Sequence, residues 1–179
     1  MEDAEITDLP PFLRIEEVEV ENRCFDGEEF QEYMPLFQQL KPALIGSQLI
    51  LGTIDEDNRE FVEEKLLPFF DCCKRYEFNF RRKTTSTKDI SDFIASILQL
   101  PLIESSVGIE FNQFYWDWLY RPKPGDATPL PIEAILNWLN KPAAVESNKA
   151  KREKRSLRIN LSNIENMSEM VEHLKTVTF

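Results

Sequence analysis

The feature that most constrains this chain is an alternation of two hydrophobic periods that recurs along its length. Tyr76-Glu-Phe-Asn-Phe80, Val107-Gly-Ile-Glu-Phe111 and Leu157-Arg-Ile-Asn-Leu161 each read apolar-x-apolar-x-apolar. That period of two places the apolar side chains on one face of a strand and the polar ones on the other. After each run the apolar spacing switches to i, i+3, i+4, i+7. Ile90, Phe93, Ile94 and Ile97 show it first, then Ile132, Ile135, Leu136 and Leu139, then Met167, Met170, Val171 and Leu174. Each set lines one side of a helix. A strand followed by a helix, three times over, points to an α/β fold with a parallel sheet, because each crossover must bring the chain back to the same end.

Local punctuation agrees. Thr87 is a candidate cap for the first of these helices, with Asp89 in its first turn. Pro131 fits the first position of the second, where the missing N–H costs nothing. Asn163 or Asn166 can cap the third. Pro101 and Pro142 close the first two. The front half repeats the unit less cleanly. Phe12-Leu-Arg-Ile15 leads into Val18-Glu-Val20, with a phase shift at Glu16–Glu17 that predicts a bulge. Phe30, Tyr33, Met34 and Phe37 give a helical stripe in which Pro35 predicts a kink or break. Leu49-Ile-Leu51 reads as a strand, and Val62, Leu66, Phe69 and Phe70 as the next helix, with Asn58 as its cap. Five strand–helix units therefore start near residues 12, 47, 76, 107 and 157, within a single domain over 1–179.

Two architectures fit five such units. In a one-sided stack, all helices cover one face of the sheet; in a doubly wound, flavodoxin-like sheet they cover both. Central strands of the second kind are buried on both faces and read as continuous apolar runs. Here Glu77, Asn79, Glu110, Asn112, Arg158 and Asn160 alternate with the apolar positions and ask for water. The one-sided β-α repeat stack is the better reading, and the doubly wound sheet stays as the alternative.

Composition narrows the chemistry. Five glycines in 179 residues leave little for a phosphate-cradling loop, and the single histidine, His173, excludes zinc sites that need two. No cofactor or metal is expected. Three cysteines imply no disulfide framework and fit a reducing, intracellular compartment, cytoplasmic or nuclear. Cys72-Cys73 reads as buried or half-buried thiols, and Asp55-Glu-Asp-Asn58 as a turn and helix start. No stretch approaches 18 apolar residues, and the acidic N-terminus does not resemble a signal peptide. Residues 1–73 carry nineteen acids against five bases, a balance of −14, whereas residues 74–179 stand at +3. An acidic front half repels phosphate, so neither nucleic acid nor an anionic membrane is an expected partner.

Two stretches are candidates for contact with a protein partner. The segment at about 114–130 opens with Phe114-Tyr-Trp-Asp-Trp-Leu-Tyr120 and continues into a proline-rich loop. Tyr115, Trp116, Trp118 and Tyr120 offer large contact area at small entropic cost. Arg81, Arg82 and Lys83 follow the third strand and form a basic group. The stretch at about 143–155 is a charged loop. No G-x-S-x-G, Walker loop or H-E-x-x-H occurs, so these patterns point to an interaction module without catalysis. A small ligand-binding or enzymatic α/β domain is the alternative, tied to the doubly wound fold.

The back half resembles a known family. Ile132-Glu-Ala-Ile-Leu-Asn-Trp-Leu-Asn-Lys-Pro142, then a charged insertion, then Ser156-Leu-Arg-Ile-Asn-Leu-Ser-Asn-Ile-Glu-Asn-Met-Ser-Glu-Met-Val-Glu-His-Leu-Lys175, is similar to the C-terminal segment of nematode F-box-associated proteins. The resemblance covers about residues 76–179. It implies an irregular, leucine-rich-repeat-like stack that serves as the substrate-recognition part of an F-box-type ubiquitin ligase. Leu9-Pro10 here leads into a strand pattern, and no F-box is recognisable.

Overall fold

Five parallel strands pair in the order in which the chain makes them. They are β1 (Glu17–Val20), β2 (Gln48–Ile54), β3 (Arg75–Arg81), β4 (Gly108–Phe114) and β5 (Ser156–Asn160). The computed structural model describes residues 13–21, 27–55, 57–81, 86–114, 127–141, 155–161 and 164–176. Between and after the strands lie α1 (Gly27–Leu40), α2 over residues 59–69, α3 (Thr87–Gln99), α4 (Ile132–Asn140) and α5 (Met167–Thr176). Short helical turns at Lys41–Leu44 and Pro101–Glu104 complete the connections. A doubly wound sheet reverses its strand order at a switch point. This sheet has no reversal, so the flavodoxin-like alternative does not describe it. With right-handed crossovers, a monotonic order puts every connecting helix on the same face.

The helix-covered face is the core. Leu49, Leu51, Phe78 and Phe111 are fully buried there, with Tyr76, Phe80 and Ile109 nearly so. The expectation of burial holds for β3 and the centre of β4, but not for Val107, Leu157, Ile159 and Leu161, which are only half-buried. Val107 lies just before β4, and among the described strands β5 has a neighbour on one side only. Phe93 of α3 meets Phe78 and Phe80 edge-on at 5.7 and 5.3 Å between ring centroids. Phe30, Phe37, Phe61, Phe69 and Phe70 form a second aromatic cluster between α1 and α2. Edge-to-face pairs of this kind add to the area they bury.

Several local details differ from the sequence reading. Pro35 does not break α1, which runs unbroken past it. Both Pro35 and Gln31, the residue whose carbonyl loses its donor, face solvent, so water satisfies the orphan. In α2, Val62–Leu66 forms a π-helical turn, closed by the Leu67 N–H on the Val62 carbonyl. Pro68 has no N–H to continue the tighter ladder, and the wider turn lets Val62, Leu66, Leu67 and Phe70 all face the core. Ser86, not Thr87, caps α3 by accepting the Asp89 N–H at 3.1 Å. Asn58 makes no cap bond; its side chain closes a turn with Asp55 and donates to the Thr53 carbonyl. The register shift falls in β2 between Leu51 and Thr53, where Gly52 is the extra residue, not at Glu16–Glu17. Pro131 sits one position before the first turn of α4. On that helix the buried pair is Ile135 and Trp138, with Leu136 and Leu139 only partly covered. Asn166 does not cap α5 with its side chain, which instead exchanges hydrogen bonds with the Leu130 backbone at 2.8 and 3.1 Å. Phe12, Pro142 and Asn163 lie outside the described residues. Among the described residues, no helix is long and apolar enough to cross a membrane.

Candidate functional site

The face of the sheet opposite the helices is a grid of polar side chains set by strand register. Its first row runs Glu17, Gln48, Arg75, Gly108, Ser156; its second runs Glu19, Ile50, Glu77, Glu110, Arg158. The third runs Thr53, Asn79, Asn112, Asn160. These positions share a face because each strand alternates, and the rows align by parallel pairing, with the extra residue Gly52 shifting β2 so that Thr53 falls beside Asn79.

The third row is a ladder of amides. Asn160 Nδ2 donates to Asn112 Oδ1 at 2.7 Å, and Asn112 Nδ2 donates to Asn79 Oδ1 at 3.2 Å. Asn79 Nδ2 ends the series on the Leu51 carbonyl at 3.0 Å. The second hydrogen of each donating amide turns to the row of acids. Asn112 Nδ2 reaches Glu77 Oε1 at 2.9 Å, and Asn160 Nδ2 reaches Glu110 Oε1 at 3.1 Å. Gln48 takes the other oxygen of Glu77 at 3.2 Å, and Arg158 takes the other oxygen of Glu110 at 3.1 Å. Both carboxylates are therefore held at both oxygens by donors of the same chain. Gly108 keeps the first row open, since a Cβ there would lie 3.0 Å from the Ser156 hydroxyl and 3.3 Å from the Arg75 side chain.

Glu77 is the electrostatically strained member. Partial burial raises its carboxyl above the usual range, the register-paired Glu110 raises it further, and the amides of Asn79 and Asn112 pull the other way. Among the described residues, no histidine or cysteine stands beside this pair on the grid. Clamped acids with both oxygens occupied hold a shape and present lone pairs; they do not relay protons freely. Among the described residues there is no cluster of three or more His, Cys, Asp or Glu placed to hold a metal ion.

The other sequence candidates fall elsewhere. Arg81 closes β3 and pairs in register with Phe114, the last residue of β4. The segments carrying Arg82 and Lys83, and Tyr115, Trp116, Trp118 and Tyr120, thus leave from adjacent strand ends, though those six residues lie outside the described ones. Most of the charged loop at about 143–155 is also outside them. Its last residue, Arg155, lies over the Trp138 ring at 4.6 Å from the centroid and donates to the carbonyls of Trp138 and Glu104. Cys73 is buried against the Ser47 hydroxyl at 3.3 Å, and burial pushes its thiol up to about 12, so it is inert at neutral pH. Cys72 is half-buried, and Cys24 lies outside the described residues. His173 is half-exposed, 3.9 Å from Glu169 one turn earlier. On the helix side, α3 and α4 border an open groove of about 770 Å³, walled by Leu98, Gln99, Ile132 and Trp138. The Glu104–Lys141 ion pair stands at its end.

The amide ladder is not evident from the sequence, which marks these asparagines only as water-seeking. The available signal is the equal phase of Asn79, Asn112 and Asn160 in three strands. Comparison with protein-family models, with curated proteins and with solved structures gives no match to this chain.

Proposed function

We propose that this chain is a non-catalytic protein-interaction module that meets its partner on the sheet face opposite the described helices and at the carboxyl ends of its strands. The observation that carries the reading is the polar grid. A parallel sheet is ordinarily covered on both faces, yet here the face opposite the described helices carries half-buried carboxylates and amides, two of them buried, held in fixed positions by one another. Preorganised polar groups lose little entropy on binding and reject partners that leave them unpaired. The register pairing of Arg81 with Phe114 supports adding the basic group Arg81, Arg82 and Lys83 and the aromatic segment Tyr115, Trp116, Trp118 and Tyr120 to the same end of that surface. Aromatic anchors would supply binding energy there, and basic residues the on-rate. The sequential strand order is compatible with the leucine-rich-repeat-like stack that the family resemblance implies. On that resemblance the module is the substrate-recognition part of an F-box-type ubiquitin ligase, with protein rather than nucleic acid as its partner.

The test is affinity capture with the intact chain, followed by the same capture with Trp116→Ala and Trp118→Ala after circular dichroism confirms folding. Loss of a specific partner from either folded variant supports the reading. Undiminished recovery from both removes the aromatic segment from the binding surface.

A further inference from the structure

The two ends of the stack carry complementary unsatisfied surfaces. Among the described residues, the large hydrophobic side chains that stand exposed are Tyr33 at 41%, Ile45 at 70%, Met167 at 46% and Val171 at 43%. The first two belong to the first strand–helix unit and the last two to the final helix. The three middle units contribute none. At the β5 end, Leu157 and Ile159 are half-buried and Arg158 is exposed. Arg158 spends one nitrogen on Glu110, and its side chain is 70% accessible. At the β1 end, Glu17 and Glu19 are exposed, with Val18 half-buried between them. No described strand pairs with the outer edge of either.

We infer that the β5–α5 end of one copy of this chain docks on the β1–α1 end of a second copy, extending the parallel sheet head to tail. The register of the sheet tells which residues would meet. The second row already runs from Glu19 to Arg158. One further strand in the same register sets Glu19 of the second copy beside Arg158, Val18 beside Leu157, and Val20 beside Ile159. Apolar residues then continue the core face, and an acid faces a base on the open face. Arg158 has five N–H donors, so it bridges Glu110 in its own chain and Glu19 in the next. The ends also fit in shape. Among the described elements, β1 has no helix before it and α5 has no strand after it. Met167 and Val171 of α5 thereby gain a strand to cover, and the half-buried Val18 gains a helix. The acidic front half and the weakly basic back half favour this orientation over either end meeting its own kind. Such a contact is heterologous, so it propagates unless it closes into a ring. It does not depend on what the open face binds, and assembly would join the grids of successive copies.

The test is sedimentation of the full chain from micromolar to submillimolar concentration, alone and as variants. Wild type should gain mass with concentration, and added salt should reduce the gain. Arg158→Glu and Glu19→Arg should each weaken assembly at least about tenfold, because like charges then face each other. An equimolar mixture of the two variants should assemble again, since the acid introduced in one then meets the base introduced in the other. Val171→Lys, away from both strands, should weaken assembly while leaving the strand charges untouched. A wild type that stays monomeric throughout overturns the inference. So does a dimer unaffected by Glu19→Arg, which would mean that two β5 edges pair around a two-fold axis. Failure of the variant mixture to reassemble overturns the pairing of Arg158 with Glu19.

Discussion

Asn112 stands in register with Asn79 on the neighbouring strand and donates to its side-chain oxygen at 3.2 Å, while giving its other amide hydrogen to Glu77 at 2.9 Å. One amide therefore ties two strands together and holds a carboxylate in place. Both asparagines are nine-tenths buried although they belong to the face opposite the described helices. A polar group at that depth is tolerated only when its bonds are made.

Asn112→Ala removes one acceptor and two donors from this network. It leaves Asn79 Oδ1, Asn160 Nδ2 and one oxygen of Glu77 each short of a partner. The expected loss is about 1–3 kcal/mol in a urea melt. Glu19→Ala, an exposed position on β1, should stay within about 0.5 kcal/mol. A loss at Asn112 no larger than that at Glu19 would mean that water replaces the ladder without penalty.

Glu77 gives the pH dependence a definite sign. Its folded carboxyl is raised above the ordinary value of 4.5, chiefly by burial and then by Glu110. The native state therefore holds this proton more tightly than the unfolded chain does. Stability contributed by the group is present below about 4.5 and is lost as pH rises through the folded value. Glu77→Gln removes the titration. Relative to that variant, wild type should lose stability between mildly acidic and neutral pH, read as a falling urea midpoint. Parallel curves for the two proteins would refute the assignment.

The sheet itself was legible because burial of one face imposes alternation, and Tyr76, Phe78, Phe80, Ile109 and Phe111 obey it. The parallel sense follows from the strand–helix alternation, whereas the strand order was indicated only by the polar positions alternating within the strands. What local pattern could not show is anything decided by neighbours. Leu157 and Ile159 have the same spacing as Phe78 and Phe80, yet they are half-buried because β5 has no strand beyond it. Trp138 is buried where Leu139 is only partly covered, and its indole N–H donates to the Ile103 carbonyl at 2.9 Å, a partner distant in sequence. Asn79, Asn112 and Asn160 looked like three separate surface residues. Only their alignment across strands makes them one network, and alignment depends on loop lengths that composition does not encode. The aromatic segment drew attention by its density of rings, a signal of contact area that does not say what is contacted.

The two faces of β4 should respond differently to truncation. Ile109 is 2% exposed on the helix side, so Ile109→Ala should cost about 2–5 kcal/mol through lost transfer energy and the cavity left behind. Glu110, one residue on, holds Arg158 and Asn160 on the open side. Glu110→Ala should cost about 1 kcal/mol, more than a free surface acid but far less than the core position. Equal losses at the two positions, compared in denaturant, would contradict a core confined to the side of the described helices.

Arg155 is the residue on which the last unit turns. It immediately precedes β5, and its guanidinium lies over the Trp138 ring while donating to the Trp138 and Glu104 carbonyls. Those carbonyls lie at the ends of α4 and of the short turn Pro101–Glu104, where helices leave acceptors unsatisfied and favour a cation. A flat fork can stack on a ring and reach two divergent acceptors at once; a lysine ammonium, with its charge at one point, cannot. Arg155→Ala should therefore cost about 2–3 kcal/mol. Arg155→Lys should recover well under half of that loss, since it restores charge without the planar geometry. The same variants should speed hydrogen exchange in β5 more than in β3, because the clamp joins β5 to α4 and not to the centre of the sheet. Full rescue by lysine would reduce the role of Arg155 to charge alone. A uniform rise in exchange over all five strands would show that β5 is not a separately anchored unit.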